Sequence, residues 1–133
     1  MNSPLIRTGF SHESQIANKG TSRRKDSHPG RSRASETTLR IAETFTSRQG
    51  EGKLTGTPSF FIRTSGCNLR CWFCDTPYAS WDPKGDAKSI DALVDAALET
   101  RLTHVVVTGG EPMLPPASVD LCQAMRDAGM HVT

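Results

Sequence analysis

The stretch GCNLRCWFCDT, Gly66–Thr76, carries three cysteines: Cys67, Cys71 and Cys74. Three residues separate the first pair and two the second, so one loop can turn all three sulfurs to the same side. Thiolates are soft metal ligands, and clustered cysteines in a reducing compartment point to metal or redox chemistry rather than to disulfides. Structural zinc takes a closed tetrahedron of four nitrogen or sulfur ligands. The fourth would have to be His104 or Cys122, both far along the chain on elements that read as packed. An iron–sulfur cube fits better. Each iron of a [4Fe–4S] cluster needs one outside ligand, which a thiolate supplies. Three cysteines then leave one iron open, where a small molecule can chelate.

The elements that must position this loop follow from hydrophobic period and turn residues. LRIAETFTS alternates Leu39, Ile41, Glu43 and Phe45 on one side and predicts a short strand. RQGEGKLTGT is glycine-rich and reads as a loop, and SFFIRT (Ser59–Thr64) as a strand entered through Pro58. TPYASWDPKGD, after the cysteines, reads as a second loop. SIDALVDAALETRL predicts a helix capped by Ser89, with Ile90, Leu93, Val94, Ala97 and Leu98 as its apolar stripe. HVVVTGG is a β-branched run of the kind found in buried parallel strands. PASVDLCQAMRDAG predicts a second helix ending at Gly129, with Cys122 in its core face beside Val119 and Met125, and MHVT begins a further strand. Strand and helix in alternation imply an α/β fold with a parallel sheet and right-handed crossovers. A last strand with no covering helix leaves a sheet edge open, so the expectation is an incomplete domain lacking its C-terminal part.

Composition divides the 133-residue chain in two. Residues 1–38 carry seven Lys/Arg against three Asp/Glu, and residues 39–133 nine against eleven. The basic head is rich in Ser, Arg and Lys, with few large apolar residues to offset its ordering entropy. Residues 1–37 are therefore expected to form a disordered extension, and residues 38–133 the core domain. Apart from Phe10 the head has no aromatic for base stacking, so a solvated tail is favoured over nucleic-acid binding. No apolar run is long enough for a membrane span, and Met1–Ile16 lacks the apolar core of a secretory signal. The chain reads as cytoplasmic.

The C-x3-C-x2-C spacing with Phe73 before the third cysteine, followed by GGEP (Gly109–Pro112) at the end of the next strand, resembles the radical S-adenosylmethionine superfamily. That resemblance implies the N-terminal part of a partial (β/α) barrel. It also implies that the open iron binds the amino and carboxylate groups of S-adenosylmethionine, and that one electron splits the sulfonium to a 5′-deoxyadenosyl radical. The flanks narrow the likeness. E-x-F-x-S-x-Q-G-E-G at Glu43, Phe45, Ser47 and Gln49–Gly52, F-x-R at Phe61–Arg63, and the cysteine stretch through Asp75-Thr76 resemble the 7-carboxy-7-deazaguanine synthase family over about residues 39–133. Glycyl-radical activases share similar segments and are the enzymatic alternative. A zinc-binding module and an inactive fragment are the non-enzymatic ones.

The family resemblance implies the following roles. Cys67, Cys71 and Cys74 ligate the cluster. Phe73, Cys74, Asp75 and Gly110 contact S-adenosylmethionine. Arg48, Gln49, Gly50, Arg63 and Thr108 contact the substrate, 6-carboxy-5,6,7,8-tetrahydropterin, with Arg63 suited to its carboxylate. The Thr76 hydroxyl ligates Mg²⁺, a hard ion that keeps water and substrate oxygens in its shell; the plain alternative is a hydroxyl capping a turn. Loss of hydrogen from C6 leads to ring contraction and release of ammonia. No protein acid or base is assigned. An electron donor such as flavodoxin and, in the full-length family, a homodimer are the expected partners. Glu111, His131, Trp72 and Trp81 receive no role.

Overall fold

Eight elements form in the computed structural model, which describes residues 37–133. The extension expected over residues 1–37 therefore falls, except for Thr37, outside the described residues. In chain order the elements are β1 (Thr38–Arg48), β2 (Pro58–Thr64), α1 (Pro77–Ser80), β3 (Asp86–Ser89), α2 (Ile90–Glu99), β4 (His104–Gly109), α3 (Ala117–Asp127) and β5 (His131–Val132). The strands make one sheet in the order β3-β1-β2-β4-β5. The fold class is α/β, as the alternation of elements predicts.

The sheet is mixed, which corrects the expectation of parallel strands throughout. β2, β4 and β5 run parallel, whereas β1 is antiparallel to both β2 and β3. The cause is the short link between β1 and β2. Parallel neighbours need a long crossover, and a short link allows only a hairpin. Gln49 N–H donates to Thr57 O at 3.0 Å and Gly56 N–H to Gln49 O at 2.8 Å, closing that hairpin. α1 forms inside the expected loop, and β3 at its end, up to the Ser89 cap. β3 has no apolar alternation to reveal it and is a strand through backbone pairing with β1, Thr38 opposite Ser89 to Ile41 opposite Asp86.

A bulge divides β1. Ile41 pairs with Thr64 but Glu43 pairs with Arg63, so Ala42 is an extra residue on the β1 side. An extra residue reverses the alternation of side chains beyond it. Leu39 and Ile41 thus face the helices and are buried, while Glu43 and Phe45 turn to the opposite face beside Arg63 and Phe61. The expected single stripe of Leu39, Ile41, Glu43 and Phe45 is really two half-stripes on opposite faces.

The core lies between the sheet and α2 and α3. Leu39, Ile41, Phe60, Ile62 and Val105 meet Ile90, Leu93 and Ala97 of α2 and Leu121 and Met125 of α3. Ser89 caps α2, its Oγ accepting from Ala92 N–H at 3.2 Å. The helix stops at Glu99, short of the predicted end, with Arg101 in left-handed conformation at φ 59°. Leu98 is exposed, so the apolar stripe is narrower than expected. On α3 the buried face is Ser118, Leu121 and Met125; Val119 is exposed and Cys122 only half-buried, so Cys122 lies at the core's margin. Among the described residues no helix is long and apolar enough to cross a membrane.

Ile62 is fully buried at the centre of the sheet's helix-packed face. Ile62→Ala should lower unfolding free energy by about 2–5 kcal/mol through lost transfer energy and the cavity left behind, as read by urea denaturation followed by far-UV circular dichroism.

Candidate active site

The cysteine loop leaves the C-terminal end of β2 and returns through α1. Pro77, with its φ already preset, opens that single helical turn directly after Thr76. Backbone bonds clamp the base of the loop. Gly66 N–H donates to Ala79 O at 2.8 Å, and Gly66 O accepts from Glu111 N–H at 2.9 Å. Gly110 N–H donates to Thr64 O at 3.2 Å. This approach needs glycine at two adjacent positions. A Cβ on Gly110 would stand 2.7 Å from Ala79 O and closer still to Gly66 O; one on Gly109, at φ 151°, would run into Thr64.

Two adjoining hollows result. The smaller, about 300 Å³, is lined by all three loop cysteines together with Phe73, Asp75, Thr76, Ser80, Gly109 and Gly110. The larger, about 650 Å³, is lined by Gln49, Gly50, Phe61, Arg63, Thr108 and again Asp75, Thr76 and Gly109. Asp75, Thr76 and Gly109 are thus the shared wall. Most of the residues singled out in the sequence meet here, at the C-terminal ends of the parallel strands β2 and β4. Arg48 does not. It ends β1, its guanidinium donates to Gly56 O at 2.8 Å, and it borders a separate depression with Thr100 and Leu102. Gln49 is buried, with its amide nitrogen donating to Ser59 Oγ at 3.0 Å, so its side-chain donor already holds the hairpin base.

Two of the three sulfurs, those of Cys67 and Cys74, have hydrogen-bond donors beside them. Leu69 N–H points at Cys67 Sγ at 3.2 Å. Cys74 Sγ lies 3.2 Å from Ser80 Oγ and 4.0 Å from Thr76 Oγ1. These contacts, Ser80 first, hold the Cys74 thiol below its ordinary pKa. The donor set fits an iron–sulfur cluster: three thiols from one loop open on one hollow, with donors ready to stabilise thiolate charge. Among the described residues no three His, Cys, Asp or Glu side chains are gathered as a metal-holding group. The sulfurs would have to draw together as iron and sulfide bind. His104 and Cys122, the candidates for a fourth zinc ligand, are absent from the lining of this hollow. His104 instead packs against His131 across β4 and β5, ring centroids 5.0 Å apart, and burial raises the Cys122 thiol.

The Thr76 hydroxyl makes no capping bond to α1, so the turn-capping alternative is not what the side chain does. Trp72 is 92 % exposed and edge-on to Phe73, and Trp81 lies under Arg70; neither walls the cysteines from water. Glu111 closes its own turn by accepting from Met113 N–H at 3.1 Å. Ser80 and Tyr78 escape sequence reasoning, because the segment after the cysteines reads as a loop. The Thr-Pro pair was the available signal for a helix start. Tyr78 OH donates to Glu43 Oε1 at 2.7 Å, and this bond keeps the phenol protonated above its usual range.

Comparison with known proteins gives the family. Residues 61–133 match the radical SAM superfamily. The chain is 60% identical over 105 residues to the 7-carboxy-7-deazaguanine synthase of Rhodopirellula baltica, covering 79% of this chain and 41% of that one. It is 50% identical over 96 residues to that of Halobacterium salinarum, covering 71% and 37%. Among solved structures it resembles the crystal structure of QueE from Escherichia coli, with a TM-score of 0.64 and 28% identity over 74% of this chain and 52% of that chain. The chain thus spans about two fifths of the length of the curated relatives it matches.

Two substitutions probe the site without any ligand. Gly110→Ala forces backbone apart at the base of the loop and should destabilise the fold by about 1–3 kcal/mol, measured by urea unfolding. Ser80→Ala removes the principal hydrogen bond to Cys74. With that support gone the thiol pKa rises, the thiolate fraction at neutral pH falls, and alkylation of Cys74 by iodoacetamide, followed by peptide mass spectrometry, should slow.

Proposed function

The chain belongs to the radical SAM superfamily, and we propose that it carries the cluster-binding and part of the substrate-binding machinery of a 7-carboxy-7-deazaguanine synthase. The observation that supports this most is the pair of adjoining hollows with a common wall at Asp75, Thr76 and Gly109. One offers thiols, the other an arginine and strand-end hydroxyls. A cofactor held in the first would border a substrate held in the second.

Cys67, Cys71 and Cys74 would hold a [4Fe–4S] cluster, and Phe73, Asp75 and Gly110 would contact S-adenosylmethionine. Bound together, cluster and S-adenosylmethionine supply a 5′-deoxyadenosyl radical for hydrogen abstraction from the substrate. The rest of the work is positioning. The substrate class is a reduced pterin bearing a carboxylate. The Arg63 guanidinium offers that carboxylate two parallel donors from a side chain only 18% exposed. Thr108 and the Gly50 backbone border the same hollow and can hydrogen-bond the edge of a flat ring. Gly109 and Gly110, having no side chains, let ligands come close to the backbone. The Thr76 hydroxyl, which makes no capping bond to α1 and lies 4.0 Å from Cys74 Sγ, would be the protein's ligand to Mg²⁺, an ion that would also take oxygens of the substrate. The product would be 7-carboxy-7-deazaguanine, with loss of ammonia. The electron would come from a small donor such as flavodoxin, and the setting would be cytoplasmic.

Anaerobic reconstitution with iron and sulfide tests the reading. Iron and sulfide should be retained, and the EPR signal of the dithionite-reduced protein should change when S-adenosylmethionine is added. With 6-carboxy-5,6,7,8-tetrahydropterin and Mg²⁺ present, mass spectrometry should detect 7-carboxy-7-deazaguanine. Zinc retained in place of iron, or a cluster signal indifferent to S-adenosylmethionine, would overturn it.

A further inference from the structure

Glu43 joins two elements that the cysteine loop separates. Its Oε1 accepts from Arg63 Nε at 2.8 Å and from Tyr78 OH at 2.7 Å. Arg63 lies in β2, just before the loop, and Tyr78 lies in α1, just after it. The Arg63 guanidinium carbon also sits 5.8 Å from the Phe45 ring centroid, and Phe45 is itself stacked on Phe61 at 5.0 Å. The guanidinium is therefore held along one edge by a carboxylate and on one face by an aromatic ring.

Which edge is held matters. A guanidinium carries five N–H donors in a rigid fork. Glu43 uses the Nε edge, and among the described residues neither Nη of Arg63 has a hydrogen-bond partner. A long arginine side chain left loose would lose rotamer freedom on meeting a ligand. Here that ordering is done in advance. A bare surface ion pair contributes little to stability, so stability alone is a weak reason for two hydrogen bonds to converge on one oxygen beside a 650 Å³ hollow.

We propose that Glu43, supported by Tyr78, is a positioning residue that holds the terminal nitrogens of Arg63 ready for the carboxylate of the substrate, and that links this aim to the loop bearing the cysteines. The inference rests on the pterin-carboxylate reading above. It adds to that reading a residue pair that touches neither substrate nor cluster. Glu43 would act on recognition of the carboxylate alone, leaving recognition of the ring to other groups.

Pterin-6-carboxylate and 6-methylpterin, both fluorescent, separate the two contributions when titrated against the reconstituted protein with S-adenosylmethionine. Glu43→Gln should weaken pterin-6-carboxylate about tenfold, the size expected for one lost charge-assisted contact, and leave 6-methylpterin within about twofold. Arg63→Ala should weaken the same ligand at least as much. Tyr78→Phe, which keeps the ring and loses one hydrogen bond, should give a smaller loss confined to the carboxylate ligand. It also serves as the second variant should Glu43→Gln fail to fold. Equal weakening of both ligands would mean a merely structural role and would overturn the inference, as would no change in either variant. If the parent protein binds neither pterin, the substrate reading falls and this inference falls with it. If the parent binds pterin-6-carboxylate and Arg63→Ala weakens it while the Glu43 and Tyr78 variants do not, only the inference falls.

Discussion

The site depends on a backbone clasp. Gly66 gives its N–H to Ala79 and its carbonyl to Glu111, while Gly110 reaches back to Thr64. Three chain segments are thereby fixed at hydrogen-bond distance: the end of β2, the turn of α1, and the exit of β4. Side chains would hold them farther apart. Removing Cβ at Gly109 and Gly110 is what allows carbonyls and amides to meet directly. The cysteine loop between Gly66 and Thr76 then needs little internal structure, because both of its ends are anchored. A loop of this kind can rearrange around an inorganic cluster without disturbing the sheet beneath it.

The same clasp explains why two kinds of chemistry can be neighbours. Thiols want a pocket with hydrogen-bond donors but little competition from other ligands. A polar ring with a carboxylate wants a fixed cation and hydroxyls. Sharing Asp75, Thr76 and Gly109 as a wall keeps the two within reach while their demands remain separate. The two longer helices, α2 and α3, take no part in either pocket. They cover the other face of the sheet with Ile90, Leu93, Leu121 and Met125, and supply the apolar burial that holds the strands in place.

What could be read from the sequence follows the strength of the local signal. The α2 N-terminus was legible because Ser89 precedes a helical apolar period, and β4 because Val105–Val107 form a β-branched run. The three cysteines and the paired glycines were legible because few roles need those residues at that spacing. β3 was not, since Asp86–Ser89 is polar and owes its strand to β1. The antiparallel start of the sheet lay hidden in a loop length. Arg48 looked like its neighbours Gln49 and Gly50 but points the other way, because direction at a strand's end is set by pairing that one-dimensional reading does not see. Ser80 and Tyr78 were hidden by a turn too short to show a period.

The extra residue at Ala42 gives β1 a change of parity. Before it, odd-numbered positions answer to the helices; after it, odd-numbered positions answer to the open face where Arg63 stands. One strand thus lies under two sets of demands that meet at a single residue. Its first half can drift with the helices that cover it, and its second half can drift with whatever the hollow has to hold. Pairing the strand straight at unchanged length would be far worse than exchanging a residue, since Ala42 would then stand opposite Arg63 and Glu43 would turn to the oily side opposite Ile62, drawing the arginine's anchor away with it. The pairing register in this stretch should accordingly be guarded more closely in evolution than its composition.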